Sequence, residues 1–374
     1  MRQVRWWAAV AVAGLLAACG GGDGPPPPVT TSAVKVVGDS LVDSGVFGFK
    51  FTVQGNAIWT ERVASAVGAP ALCPRYAAQS ASLVVANPAA TACTSYGVGG
   101  ARINPEGLAG DATPFSVVQQ LATLASEKPY SPDQLLLVDG GGNDVADLAA
   151  KYLAAPNDSG LAFTTLAGEL LTTQEINAAF LAGNLPAVGT LYVQRLADRL
   201  ADALTTHALN RDASRVVVLT VPDVTVTPRF LAVLSGVEQQ SGQAAAAGVK
   251  TLVNAWVQAF NAQVRARLGA QPRVAIVDFY ASLNQWVGAP ATYGFTNATT
   301  PACPSIGVDG SGLPAYDISL CTATLLDTPP LPNGETATGW WQSYLFSDNF
   351  HGTPRTNELM AQAVQQALVA KGWK

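Results

Sequence analysis

Only two histidines occur in the 374 residues, and that scarcity narrows the chemistry at once. A serine hydroxyl attacks a carbonyl at neutral pH only when a neighbouring base takes its proton, and that base is ordinarily a histidine oriented by a third group. His351 lies in YLFSDNFHGTP, three residues after Asp348. A tight turn there sets the carboxylate against the imidazole, fixing its tautomer and stabilising the imidazolium. The same Asp348 would serve equally to cap a turn. His207, in ADALTTHALNRD, falls near the end of a helical pattern, where a histidine complements the helix dipole. Ser40 follows the apolar run VKVV through Gly38-Asp39, which suits either a nucleophile at a strand end or a turn that caps a helix. Two glycine-bearing turns end later apolar runs, Gly99-Gly100-Ala101 and Gly141-Gly142-Asn143-Asp144. Glycine lets a backbone N–H approach a developing oxyanion, and an asparagine amide can donate beside it. Asp144 reads as a structural hydrogen-bond partner rather than an acid.

These residues need a scaffold that gathers strand ends. Near-continuous apolar runs at 34–37, 95–98, 134–140, 215–221 and 273–279 predict five strands. Helical patterns at 58–67, 117–124, 173–208, 244–268 and 356–368 separate or follow them. Apolar strands alternating with helices predict an α/β fold with a parallel sheet covered on both faces. Ser40 opens the body and His351 nearly closes it, so the two meet only if 34–374 folds back as a single domain. The stretch 288–345 breaks the pattern, being rich in Gly, Pro and Thr, and is expected to be a functional loop insertion. Its aromatics Tyr293, Phe295, Trp340 and Trp341 either form a rim near His351 or pack a loop core. Trp59 is expected to pack a helix near the Ser40 loop.

The N-terminus reads as a targeting segment. Arg2 and Arg5 precede an apolar run that is too short to span a bilayer, so 1–18 is expected to be a signal peptide. The string LAAC resembles a bacterial lipoprotein processing site, with Cys19 as the lipidated residue and a membrane anchor as the consequence. Residues 19–33 make a flexible Gly/Pro-rich tether. An extracytoplasmic location is expected, either anchored in the cell envelope, the outer membrane included, or secreted. The remaining cysteines, Cys73, Cys93, Cys303 and Cys321, suit disulfides in an oxidising compartment, and proximity favours Cys73–Cys93 and Cys303–Cys321. No CxxC occurs, which speaks against zinc or another metal. The net charge is −5 with no basic cluster, so nucleic acid is not an expected partner. No phosphate-binding G-x-x-x-x-G-K-[ST] occurs, GVGGAR lacks the third glycine of a dinucleotide fingerprint, and no cofactor is expected.

Taken in order, the motifs resemble those of the GDSL, or SGNH, hydrolase family. GDSLVDSG at 38–45 resembles its first block, YGVGGAR at 96–102 its second, GGND at 141–144 its third and DNFH at 348–351 its last. VPDVTVTPRF at 221–230 is similar to a further family segment. The resemblance implies a three-layer α/β/α fold of flavodoxin-like style with a central, mostly parallel sheet of about five strands. It also implies an esterase or lipase working through an acyl-enzyme on Ser40, with His351 and Asp348 completing the triad. Ser40, Gly100 and Asn143 would form the oxyanion hole. The expected substrate is a small-molecule or lipid acyl ester. Removal of acetyl groups from carbohydrate, and a non-catalytic lipoprotein binding module, are the competing readings. One departure is Gly352 where proline is more usual after the histidine, which would loosen the base-bearing loop. No G-x-S-x-G elbow occurs, so the α/β-hydrolase alternative fares worse.

Overall fold

The computed structural model describes residues 30–106 and 113–374. The expected leader at 1–18, Cys19 and most of the tether lie outside the described residues. In chain order the strands are β1 (Ala33–Val37), β2 (Tyr76–Ser80), β3 (Leu83–Ala86), β4 (Gln134–Val138), β5 (Val216–Leu219), β6 (Val274–Val277), β7 (Gly307–Val308) and β8 (Pro314–Ala315). The helices are α1 (Trp59–Ala66), α2 (Val117–Glu127), α3 (Gly142–Asp158), α4 (Leu161–Ala167), α5 (Thr173–His207), α6 (Pro228–Ser241), α7 (Gln243–Leu268), α8 (Phe279–Gly288), α9 (Ala323–Leu326) and α10 (Pro354–Ala370).

A four-stranded parallel sheet in the order β1-β4-β5-β6 forms the middle layer. Its strands are apolar on both faces because both faces are covered. Leu136, Val138, Val216, Val218 and Val274 pack into one core with α2, α3, α5 and α7. The alternating residues Val34, Val36, Leu135, Leu137, Val217 and Val277 pack into a second core with α1, α8 and α10. That alternation is the two-residue period of a strand read against two helical layers. The lone charge in β1, Lys35, reaches past the sheet edge to the carbonyls of Lys128 and Pro129, at 2.6 and 2.8 Å.

The sequence predicts five strands, and the segment at 95–98 departs from that. It runs along the free edge of β1, with Tyr96 N donating to Val36 O at 2.8 Å and Val98 N to Gly38 O at 3.1 Å. Its ladder is limited to a parallel bridge between Val36 and Ser95, because Gly99-Gly100 turns the chain away, with Gly100 at φ +78°. Counting that segment, the chain crosses to one side of β1 and then returns to the other for β4. The reversal opens a crevice at the strands' carboxyl ends, where ligands bind in such sheets.

Outside the sheet, residues 288–345 build a third, smaller core from Ala302, Ile318, Leu326, Trp340, Trp341 and Tyr344, joined by Val53. Disulfides link Cys73 to Cys93 and Cys303 to Cys321, with Cα atoms 5.1 and 5.5 Å apart.

Candidate active site

Ser40 stands in the turn that leaves β1. The turn is tight because Gly38 has φ +147°, and a Cβ there would meet the Asp139 carbonyl at 2.8 Å. Gln120 of α2 clamps the turn from below, accepting from Gly38 N at 2.7 Å and donating to Gly38 O at 3.0 Å. Beyond Ser40, the buried Asp43 carboxylate accepts from the backbone N–H groups of Gly45, Val46 and Gly99 at 2.7 to 2.8 Å. Burial pushes Asp43 up to about 6 against the pull of those three donors. One carboxylate thus ties the serine turn to the Gly99-Gly100 turn.

His351 sits just before α10, whose N-cap is Thr353 and whose first residue is Pro354. Its Nε2 lies 2.7 Å from Ser40 Oγ, and its Nδ1 lies 2.7 Å from Asp348 Oδ2. The other Asp348 oxygen accepts from Phe350 N and His351 N, both at 2.8 Å, so the carboxylate closes its own turn and still meets the imidazole. Burial alone would push Asp348 up. The His351 imidazole and these hydrogen bonds outweigh it and hold the carboxyl below its usual value. At Gly352, where the sequence predicts a looser loop, the backbone is held by three donors. The Gly352 carbonyl accepts from Thr52 Oγ1, Ser347 Oγ and Asn357 Nδ2 at 2.9 to 3.2 Å.

Gly100 and Asn143 face the same cavity, of about 250 Å³, whose lining includes Ser40, Leu41, Phe51, Val224, Phe350 and His351. Asn143 is in the first turn of α3 and spends one amide hydrogen on Ala101 O at 2.9 Å. Arg102 holds the Gly100 carbonyl at 2.6 Å and is itself paired with Asp147. Among the described residues, neither Ser40 N nor Gly100 N donates to a protein acceptor. Asp144, as expected, is structural in its contacts, accepting from Ile103 N and Asn104 N at 3.0 and 2.8 Å.

The remaining candidates fall elsewhere. His207 is the last residue of α5 and does not line this cavity. Trp340 and Trp341 belong to the small third core, and Phe295 packs under the sheet. Trp59 is fully buried beside Val36 and Val42.

The sequence profile described as GDSL-like lipase/acylhydrolase matches residues 34–364, most of the chain. The chain belongs to the GDSL-like lipase/acylhydrolase family. No curated protein matches it by sequence. The crystal structure of the lipase Lip_vut3 from a goat rumen metagenome is 10% identical, with a TM-score of 0.41 over 90% of this chain and 97% of that one.

In this lipase/acylhydrolase-family chain the aromatics lining the cavity are Phe51 and Phe350, neither of which the sequence singles out. The Phe51 ring lies 4.8 Å from the His351 ring, centroid to centroid, and the Arg229 guanidinium caps Phe350 at 5.9 Å. A cluster of phenylalanines at 47, 49 and 51 was the available signal, but its partner is 300 residues away in sequence and no local pattern reveals it. Pro222, Val224 and Thr227, from the 221–230 segment, complete the wall.

Proposed function

We propose that the chain hydrolyses carboxylic esters through an acyl-enzyme on Ser40. The observation that carries this reading is the unbroken line from Asp348 through His351 to Ser40 Oγ, with every link at 2.7 Å. In this mechanism His351 Nε2 takes the Ser40 proton as Oγ attacks the ester carbonyl. Asp348 holds the imidazole's other nitrogen and stabilises the imidazolium. The backbone N–H groups of Ser40 and Gly100 and the Asn143 amide then receive the oxyanion. His351 returns the proton to the leaving alcohol and next deprotonates the water that releases the acid.

Short to medium acyl chains are the proposed substrates. The cavity lies below the roughly 300 Å³ at which pockets for larger ligands begin. Its apolar lining from Leu41, Phe51, Val224 and Phe350 suits an acyl tail more than a sugar. The two disulfides agree with an oxidising compartment, and anchoring through Cys19 is part of the same proposal.

The test is hydrolysis of p-nitrophenyl acetate, butyrate and longer esters by the full chain, Ser40→Ala and His351→Ala, all exported to an oxidising compartment. Each variant is expected to lose activity by on the order of 10³-fold or more while keeping its unfolding midpoint. A folded wild type no faster than its variants on every ester would sink the reading.

A further inference from the structure

Two carboxyl groups beside Ser40 have no place in the mechanism above. Asp39 and Asp139 follow the paired ends of β1 and β4, where Val37 lies opposite Val138 and Asp139 N donates to Val37 O at 3.2 Å. Both line the cavity that holds Ser40, Gly100 and Asn143, yet their side chains are almost wholly buried. The two carboxyl groups lie near enough for each to act on the other, and only a proton on one of them could bond the pair. Two ionised carboxylates have no hydrogen to share, and Asp139 Oδ2 would then be a buried oxygen without any donor.

The charged groups facing the pair do not relieve it. Arg102 and His351 act on Asp39 only across space. Arg102 is bonded to Asp147 and the Gly100 carbonyl, and His351 to Asp348 and Ser40. Asp39 Oδ1 accepts from Leu41 N at 3.1 Å, and the Gly140 N–H lies beside Asp139. Buried carboxyls in contact with no cation between them do not both ionise, and the pair titrates as a unit. A proton on Asp139, donated to Asp39, satisfies the orphaned oxygen and leaves Leu41 N its acceptor.

We propose that Asp139 is a positioning residue that stays a neutral carboxylic acid, donates its proton to Asp39, and so keeps one charge rather than two on the floor of the cavity. The catalytic consequence rests on the ester-hydrolase reading. A second negative charge there would oppose the oxyanion forming at Ser40, Gly100 and Asn143. It would slow the chemical step on the alkaline side while leaving substrate binding nearly unchanged. Burial and the neighbouring Asp39 both hold Asp139 well above the usual carboxyl value, so that loss belongs to the alkaline limb.

Infrared spectroscopy of the intact protein tests the proton without reference to activity. The spectra are taken at about pH 8, where Asp43 and Asp144, each pushed up to about 6, are ionised. The wild type is expected to show the carbonyl band of a protonated carboxylic acid, and Asp139→Asn to lack it. If Asp139→Asn does not fold, Asp139→Ser makes the same test, since its hydroxyl can donate to Asp39 and it carries no carboxyl group to give the band. A wild-type spectrum without the band, or a band that survives in the folded variant, overturns the assignment. Profiles of kcat and KM against pH on p-nitrophenyl acetate then test the consequence. The alkaline fall in kcat is expected to move up by at least about one pH unit in Asp139→Asn, with KM little changed. An unmoved limb overturns the positioning role. A wild type that hydrolyses no ester sinks the hydrolase reading instead, and the infrared band still decides where the proton is.

Discussion

Asp43 shows how much of the site depends on a residue that touches no substrate. One of its oxygens takes Gly45 N and Val46 N and the other takes Gly99 N, so the serine turn and the Gly99-Gly100 turn share one carboxylate. An amide has a single acceptor oxygen. In Asp43→Asn, if that oxygen keeps Gly45 and Val46, the NH₂ faces the Gly99 N–H, donor against donor. Leaving that buried donor unpaired loosens the tie between the two turns. With the Gly100 donor displaced, kcat should fall on the order of tenfold or more while KM changes little. The Asp348–His351 contact was legible because a three-residue spacing in a tight turn leaves few alternatives. The packing of Phe51 on His351 and the Gln120 clamp on Gly38 were not, since each joins segments far apart in sequence. The bonds that Thr52 and Asn357 make to the Gly352 carbonyl are not legible for the same reason, since only the fold brings them near.

Among the elements, strands were the most legible, because a strand buried on both faces reads as an unbroken apolar run. Five helices are not legible in the sequence: α3, α4, α6, and the short α8 and α9. α3 opens on glycine and carries Pro156, α4 is short, and α6 starts at Pro228 and buries little beyond Phe230. The helical pattern at 173–208 holds two helices that meet at Gly183 and Asn184, where the backbone leaves helical angles. The 288–345 insertion, expected as a loop, works through its disulfide. Cys321 O accepts from Gln54 N at 2.7 Å, and Gln54 Nε2 reaches Ile318 O at 3.0 Å. The Cys303–Cys321 loop thereby braces the segment that lays Phe51 against His351. Closing a loop with a sequence separation of 18 restricts the unfolded chain by about 3 kcal/mol. The double variant Cys303→Ser/Cys321→Ser is expected to lose about that much in urea unfolding and to hydrolyse esters more slowly. Unchanged activity in a destabilised variant would show that the insertion supports the fold without supporting the base.

At the scale of the whole molecule, the cluster of buried acids at the strand ends sets how stability responds to pH. Asp43 and Asp144 are pushed up to about 6, burial being the larger cause in each. Their unfolded values lie near 3.9, so the stability they contribute is complete below about that pH and is lost as pH rises through about 6. A shift of about two units corresponds to on the order of 3 kcal/mol for each group. Asp348 has the opposite sign: held below its usual value, it contributes stability above the unfolded value that is lost as pH falls. Lys35, pushed down to about 8, changes the slope only above that pH. His207, lowered by burial and by Arg211, opposes the acids as pH rises and must be separated from them. Urea midpoints measured across this range should therefore peak on the acidic side, at about pH 4, and decline by about pH 7. Asp144→Asn isolates one acid from the rest. It is expected to remove about 2 kcal/mol from the decline between about pH 4 and 7, while leaving the acid-side slope that Asp348 sets. A decline as steep in Asp144→Asn as in the wild type would mean that Ile103 N and Asn104 N hold this carboxylate ionised more strongly than burial opposes it. The alkaline loss would then have to come from Asp43 and from the Asp39–Asp139 pair.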